Sequence, residues 1–344
     1  MEGRRPTQSD VAKMAGVHRA SVSLAFKNHP SIPEGTKKRI RHCAEKLGYA
    51  PDPMLSSLAA YRSRNRPKAF QGTLAWLTNG YADWRENALF RDFYAGASQR
   101  AKTHGFNLEV FDLQQLGMSC ERTAAILHAR NIGGVLLPPQ PRSNVEIIGF
   151  PWEDFSAVTF GYSLVKPELH CVTSTQFRAM VRTMREVKAL GYERIGFFFT
   201  PEHDEKTDHN YLAGYLAETF QMHKGESIPP LFSSERPPQL FMEWFERHRP
   251  QVIVTGNRDI LMMLKSLGID APSDVGVASP LVLEKDSPLA GVYENSFHIG
   301  EVALDFLVAM IHRGERGIPA CPQRVLVEGT WNPGRTLRAG VKAG

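Results

Sequence analysis

The sequence predicts a small all-α head followed by a larger α/β body built on parallel sheets, and three features carry that reading. Basic residues crowd the first fifth of the chain: residues 1–68 hold 14 Lys or Arg against 5 Asp or Glu, while the remainder holds 27 against 31. Apolar residues in the first fifty positions recur at helical spacing. From residue 69 to 338, short apolar runs alternate with amphipathic stretches, the order that covers parallel strands with helices on both faces.

A basic head on a mildly acidic body points to nucleic acid as a partner. The 344 residues suit two or three domains, and a hydrophobic share of 42% supplies large cores. No apolar run approaches the roughly 20 residues that span a bilayer, and the first residues lack the apolar stretch of a signal peptide, so a cytoplasmic protein without a membrane partner is expected. Cys43, Cys120, Cys171 and Cys321 are far apart and form no Cys-x-x-Cys pair, which gives neither a zinc site nor a disulfide framework.

In the head, Thr7 and Asp10 have the spacing of a helix-starting box, with the Thr7 hydroxyl able to cap a free amide. Val11, Met14 and Ala15 follow on one helical face, and Gly16 has the backbone freedom of a tight turn. A second helix, about His18 to Lys27, turns Val22, Ala25 and Phe26 inward and leaves Arg19, Ala20, Ser23, Leu24 and Lys27 outside. A third, about Glu34 to Leu47, has Ile40, Cys43, Ala44 and Leu47 inward and Lys37, Lys38, Arg39 and Arg41 mostly outward, and Gly48 ends it. Three short helices with a Gly turn between the first two form a helix-turn-helix. Its second helix fits the major groove, where Arg can bond a guanine edge twice and Ala or Leu can touch a thymine methyl. Lysines can hold phosphates.

The run Asp10-Val11-Ala12 through Ala15-Gly16-Val17, then Ala20 to Ser23, Thr36, and Leu47-Gly48-Tyr49-Ala50-Pro51, resembles the head of the lactose/galactose-repressor (LacI/GalR) family. The resemblance implies Arg19 and Ala20 as base readers and Thr7, Ser23 and Thr36 as phosphate contacts, with His18, Leu24, Lys27 and Tyr49 completing the DNA-binding set. The chain departs from the pattern at Leu24, where Arg is usual, and at His18, where a capping Ser is common. Asp52 and Pro53 suit a helix start. The segment from there to Ala59 resembles the family's hinge helix, which implies that Ser56, Leu58 and Ala59 meet DNA and that Leu58 wedges into the minor groove. A plain linker helix packing Leu55 and Leu58 on the body is the alternative. Arg62, Arg64, Arg66 and Lys68 make a basic linker.

In the body, strands are predicted at Thr73–Leu77, Leu108–Phe111, Val135–Leu137, Val158–Phe160, Ile195–Phe199, Val252–Val254, Val275–Ala278 and Val325–Val327. Helices are predicted at Phe90–His104, Cys120–Arg130, Phe177–Leu190, Tyr211–Met222, Gln239–Arg247, Asp259–Leu267 and Gly300–Ile311. Ala189 to Gly196, Ala213-Gly214-Tyr215, Gly268 to Val277 and Ile299-Gly300 resemble the family's effector domain. That implies a two-lobed, periplasmic-binding-protein-like body with a ligand cleft at the carboxyl ends of the strands. The expected division is a DNA-binding domain at 1–51, hinge and linker at 52–68, and an effector-binding and dimerisation domain at 69–338. Its N-lobe would take about 69–173 and 291–321, and its C-lobe about 174–290 and 322–338.

The cleft residues themselves depart from the family's sugar binders. Tyr211 stands where they carry an anchoring Arg, and Ser279 to Val282 replace their Gly-aromatic-Asp-Asp turn. Asn79, Trp84, Phe90, Tyr162, Tyr211, Asn257 and Glu294 lie near strand ends and are the candidate effector contacts, with Trp84 or Phe90 able to stack on a ring. A cleft without a ligand is the alternative. No P-loop, G-x-G-x-x-G, G-x-S-x-G or H-E-x-x-H motif occurs, so neither an enzyme nor a cofactor is expected. His203, Asp204 and His209 are read as part of a solvated loop. The implied protein is a homodimeric regulator, a repressor, that reads a pseudo-palindromic operator in double-stranded DNA under control of a small-molecule effector. The competing reading is a cytosolic solute-binding module with a non-specific basic head.

Overall fold

The computed structural model describes residues 6–26, 31–49, 70–80, 84–115, 117–220, 227–234 and 238–338. The hinge segment, and with it Ser56, Leu58 and Ala59, lies outside these residues, as does Lys27.

The head contains α1 (Gln8–Ala15), α2 (Arg19–Phe26) and α3 (Glu34–Leu47). Thr7 opens α1: its backbone N–H and its hydroxyl both donate to the Asp10 carboxylate, at 2.7 and 2.6 Å. Gly16 then takes a left-handed conformation, φ 64°, that turns the chain into α2. Val11, Ala15, Val22, Ala25, Ile40 and Ala44 close a small core among the three helices. Lys37 corrects the expectation that it faces outward. It is 5% exposed, because positions 37, 40 and 44 share one helical stripe, and its ammonium reaches Glu34 at 2.7 Å.

The body begins with β1 (Gly72–Thr78), α4 (Ala88–His104), β2 (Phe106–Asp112), α5 (Cys120–Ala129), β3 (Gly134–Leu137), β4 (Val145–Glu146), β5 (Ser156–Phe160), β6 (Leu164–Lys166) and β7 (His170–Ser174). The second lobe follows as α6 (Gln176–Ala189), β8 (Ile195–Phe199), α7 (Pro201–Lys206), α8 (Asn210–Thr219), β9 (Leu231–Phe232), α9 (Gln239–His248), β10 (Val252–Thr255), α10 (Ile260–Ser266), β11 (Gly276–Val282) and β12 (Ala290–Tyr293). The chain returns through α11 (Ser296–Arg313) and β13 (Arg324–Val327), then crosses once more to β14 (Thr330–Asn332).

Two six-stranded sheets result, ordered β13-β7-β5-β3-β1-β2 and β14-β12-β11-β10-β8-β9. Every described pairing in them is parallel except β12 with β14. Each sheet is covered on both faces by separate apolar clusters, as parallel sheets require. All eight expected strands and seven expected body helices are present, with shifted ends.

The lobe boundaries differ from the expected ones. Ala290–Tyr293 pairs with β11 and so belongs to the second sheet, and Arg324–Val327 pairs with β7 in the first. The crossings therefore fall at Ser174–Thr175, Glu294–Asn295 and Glu328–Gly329. The short strands β7, β12 and β14 escaped the sequence reading because polar residues and glycine break up their apolar runs.

Candidate DNA-reading face and interlobe cleft

On the head, His18, Arg19 and Ala20 are exposed, while Ser23 and Leu24 are half-buried one turn further on. Positions 19, 20, 23 and 24 are the i, i+1, i+4 and i+5 set of one helical face, opposite the buried Val22 and Ala25. Arg19 thus stands free at the N-terminal end of α2, where a groove-lying helix offers its first turn to base edges. His18 stands in for the usual capping serine. Its Nδ1 accepts the Ala20 N–H at 3.3 Å, satisfying one of the open amides of the first turn. Thr36 is half-buried in the first turn of α3. The Tyr49 ring packs on Phe26 with centroids 5.8 Å apart, which ties the chain leaving α3 to the end of α2.

In the body, the three crossings are bound to one another. Glu294 is 6% exposed, and its two carboxylate oxygens accept from the Ser174 hydroxyl at 2.7 Å and the Ser296 hydroxyl at 3.0 Å. Burial pushes its carboxyl above the ordinary value, against the pull of those two donors. Glu328 accepts from the Thr175 hydroxyl at 3.1 Å and pairs with Arg178 at 2.6 Å, and its carbonyl accepts from Asn295 Nδ2 at 3.2 Å. Glu294, expected to meet an effector, therefore serves as a clasp between the first and second crossings.

Across the mouth, the short helix α7 reaches from the second lobe to the first. The Ser143 hydroxyl donates to Glu205 at 2.7 Å, and the Lys206 ammonium donates to the Pro141 carbonyl. Arg258 adds a longer contact to the Asn87 side chain at 3.4 Å. The expectation of a solvated loop at 203–209 is corrected here. Thr200 caps α7 by accepting the His203 N–H at 3.2 Å, and Pro201 occupies the first turn, where its missing N–H costs nothing. Asp204 is buried, and its carboxylate holds His209 Nδ1 at 2.6 Å, which raises the affinity of that imidazole for a proton.

The other candidate effector residues divide into three groups. Trp84 and Phe90 are core rings of the first lobe: Trp84 packs on Trp76 and Tyr94, with centroids 5.9 and 5.0 Å away, and Phe90 is 7% exposed in the same cluster. Packing has taken the faces that stacking on a ligand would need. Asn79 bonds Gln140 at 3.2 Å and Gln114 at 3.0 Å, and Asn257 uses its side-chain oxygen to accept the Asp259 N–H at 2.9 Å at the start of α10. Burial raises the Tyr211 phenol well above its ordinary value, and Glu294 and then Tyr162, from the opposite lobe, push it the same way. His203, read from the sequence as part of a solvated loop, instead makes ring contacts with Phe199 and Tyr211 at 5.3 and 5.9 Å. The signal for it was Thr200-Pro201, a helix start directly after a strand.

A helix-turn-helix head joined to two parallel α/β lobes defines the class: a DNA-binding regulator with a periplasmic-binding-protein-like body. The model of bacterial regulatory proteins of the lacI family matches residues 7–52. The probable transcriptional repressor ExuR of Bacillus subtilis (strain 168) is 36% identical over 110 residues, 32% of this chain and 30% of that protein's length. The transcriptional repressor CytR of Escherichia coli (strain K12) is 23% identical over 321 residues, 88% of this chain and 89% of its own. Among solved structures, a complex of the transcriptional regulator CelR with cellobiose superposes with a TM-score of 0.56 at 17% identity, covering 96% of this chain and 100% of the other. The Lac repressor dimer bound to operator and an anti-inducer gives 0.55 at 16% identity, covering 97% and 100%. Residues 7–52 thus match a lacI-family head, and over most of its length the chain is similar to HTH-type transcriptional repressors.

Proposed function

We propose that this chain is a homodimeric, sequence-specific repressor that reads a pseudo-palindromic operator and responds to a small molecule held between its lobes. The observation that carries the reading is the outer face of α2, where Arg19 and Ala20 stand exposed while Val22 and Ala25 anchor the helix to the head. Two such heads related by a two-fold axis match the two-fold symmetry of a palindromic site. Arg19 and Ala20 read bases, Thr7, Ser23 and Thr36 hold phosphates, and Leu58 enters the minor groove from the segment that joins head to body. Leu24 in place of an Arg removes one hydrogen-bonding reader and favours an apolar contact, such as a thymine methyl, at that position.

The body supplies the control. The three crossings are tied by Glu294 and Glu328, so a change in lobe closure would move them together. By linkage, operator and effector must alter each other's affinity by the same factor.

The test is selection of bound duplexes from a random library by the full-length protein at near-physiological salt, repeated with Arg19→Ala. A palindrome is expected from the natural chain. Arg19→Ala should relax the preference at one symmetric pair of positions by about 1–3 kcal/mol, the usual value of a bidentate base contact. Unchanged selectivity in the variant would refute the assigned reading head.

A further inference from the structure

Residues 138–143 and 200–209 stand on opposite lobes, and each segment is rigid before the two meet. The first follows β3 as Pro138-Pro139-Gln140-Pro141, where three prolines fix the backbone and remove amide donors. Gln140 pins it. This side chain is 1% exposed; its N–H donates to the Ser163 hydroxyl at 2.7 Å, its Nε2 donates to the Pro138 carbonyl at 2.9 Å, and its Oε1 accepts from Asn79 at 3.2 Å. The second segment contains α7. Thr200 caps its start, and the Thr207 hydroxyl donates to the carbonyls of His203 and Asp204 at 2.9 and 3.0 Å. The buried Asp204 holds His209 where the chain leaves the helix through left-handed backbone, φ 51° at Asp208 and 55° at His209. His203 packs on Gly256 of its own lobe so closely that any Cβ there would collide with the imidazole.

His203 and Asp204 thus anchor α7 to the second lobe, and the next two residues reach the first. The Ser143 hydroxyl donates to Glu205 at 2.7 Å, and the Lys206 ammonium donates to the Pro141 carbonyl. The Arg258 contact to Asn87 is longer, 3.4 Å, and uses an oxygen that already accepts the Leu89 N–H.

We propose that α7 is a ligand-independent latch: Glu205 and Lys206, seated on the 138–143 platform, hold the lobes closed before any effector binds, and their release changes operator affinity. The proposal rests on the reading of the body as the control domain of a DNA-binding regulator.

Both bonds join protein to protein, so neither needs an effector atom. Their placement gives them leverage. The crossings meet the first sheet at β7 and β13 and the second at β12 and β14, whereas β3, which leads to the platform, stands two strands from β7, and β8, which leads to α7, stands three strands from β12. At about 4.8 Å per strand the latch lies roughly 10–14 Å from the hinge, so an opening of about 10° parts its groups by about 2 Å and breaks both bonds. Exposed polar contacts are ordinarily weak because two mobile side chains must be held in one geometry. Here a carbonyl on a proline platform and a capped, anchored helix bring their groups pre-set, which lowers the ordering cost. With Glu205 exposed and Lys206 half-buried, the two bonds together should favour the closed form by about tenfold.

The test is small-angle X-ray scattering of the full-length protein, purified without added ligand, beside gel-shift titration with the selected operator. Ser143→Ala combined with Lys206→Met removes both bonds and leaves the anchors of α7 in place. This double variant is expected to have a larger radius of gyration than the natural chain, and an operator affinity changed by about fivefold or more, the low end of ordinary coupling between sites. Ser143→Thr keeps the hydroxyl and should keep both values. An unchanged radius in the double variant, or a larger radius with unchanged operator affinity, would overturn the proposal. So would a Ser143→Thr chain as open as the double variant. Failure of the regulator reading looks different: the natural chain then selects no operator, while the scattering still separates closed from open.

Discussion

Removing the Glu294 carboxylate should destabilise the body more than any surface change in it. In Glu294→Ala, the hydroxyls of Ser174 and Ser296, 4% and 1% exposed, lose their shared acceptor. Each buried hydroxyl left unpaired costs about 1–3 kcal/mol, so a loss of roughly 2–6 kcal/mol is expected. Glu294→Gln keeps an acceptor for one serine and presents an amide to the other, and should cost no more than about 1 kcal/mol at pH 8. The pH dependence separates the charge from the shape. Burial raises the Glu294 carboxyl in the folded chain, so the folded state binds its proton more tightly than the unfolded state does. Stability from this group is then fully present below the unfolded carboxylate value, near 4.3, and is lost as pH rises through the folded value. Lowering the pH from 8 toward 5 should therefore stabilise the natural chain relative to Glu294→Gln, by about 1.4 kcal/mol for each tenfold difference in proton affinity. Urea denaturation at pH 8, 6.5 and 5, followed by circular dichroism, reads both effects. A Glu294→Ala loss under 0.5 kcal/mol, or a Gln variant whose relative stability does not change with pH, would refute the clasp.

Three further expectations rest on single contacts. His18→Ala removes the acceptor for the Ala20 N–H and should cost the head about 0.5–2 kcal/mol, while His18→Ser or His18→Asn restores it; thermal melting of the three variants checks the order. Gly96→Ala sets a methyl against the Phe297 carbonyl where α4 and α11 cross, so the first lobe should lose about 1–3 kcal/mol by overpacking, seen as a lower urea midpoint. The His209 imidazole, held by Asp204, should titrate by NMR above the ordinary histidine value of about 6.5; the stability it adds is present below that value and fades as pH rises through the raised one, and His209→Ala should remove this dependence.

The head was legible in the sequence because its information is local. Thr7 and Asp10 are three apart, Gly16 sits between two helices of eight residues, and the apolar stripe of Val11, Ala15, Val22 and Ile40 repeats within thirty positions. Two residues there were misplaced: Met14, read on the face of Val11 and Ala15, is 48% exposed, and Lys37 was assigned by its charge when the helical stripe put its aliphatic stem inside. The main strands of the body were legible for the same reason, as unbroken apolar runs. The crossings were not. Ser174 and Glu294 are 120 residues apart, Thr175 and Glu328 are 153 apart, and nothing in either neighbourhood announces the other.

That difference in range explains why exposure on the head could be placed from local pattern while the partners of the cleft residues could not. Exposure on the head is a property of one helix: once Val22 and Ala25 are known to point inward, Arg19 and Ala20 must point outward. The cleft is a property of two sheets meeting. Candidate residues could be named from their places at strand ends, but whether each is available depends on its partner. Asn79 is engaged by Gln114 and Gln140, Glu294 by two serines, and Trp84 by its own core, whereas Tyr211, the residue that replaces a charged anchor, emerges with its hydroxyl unused.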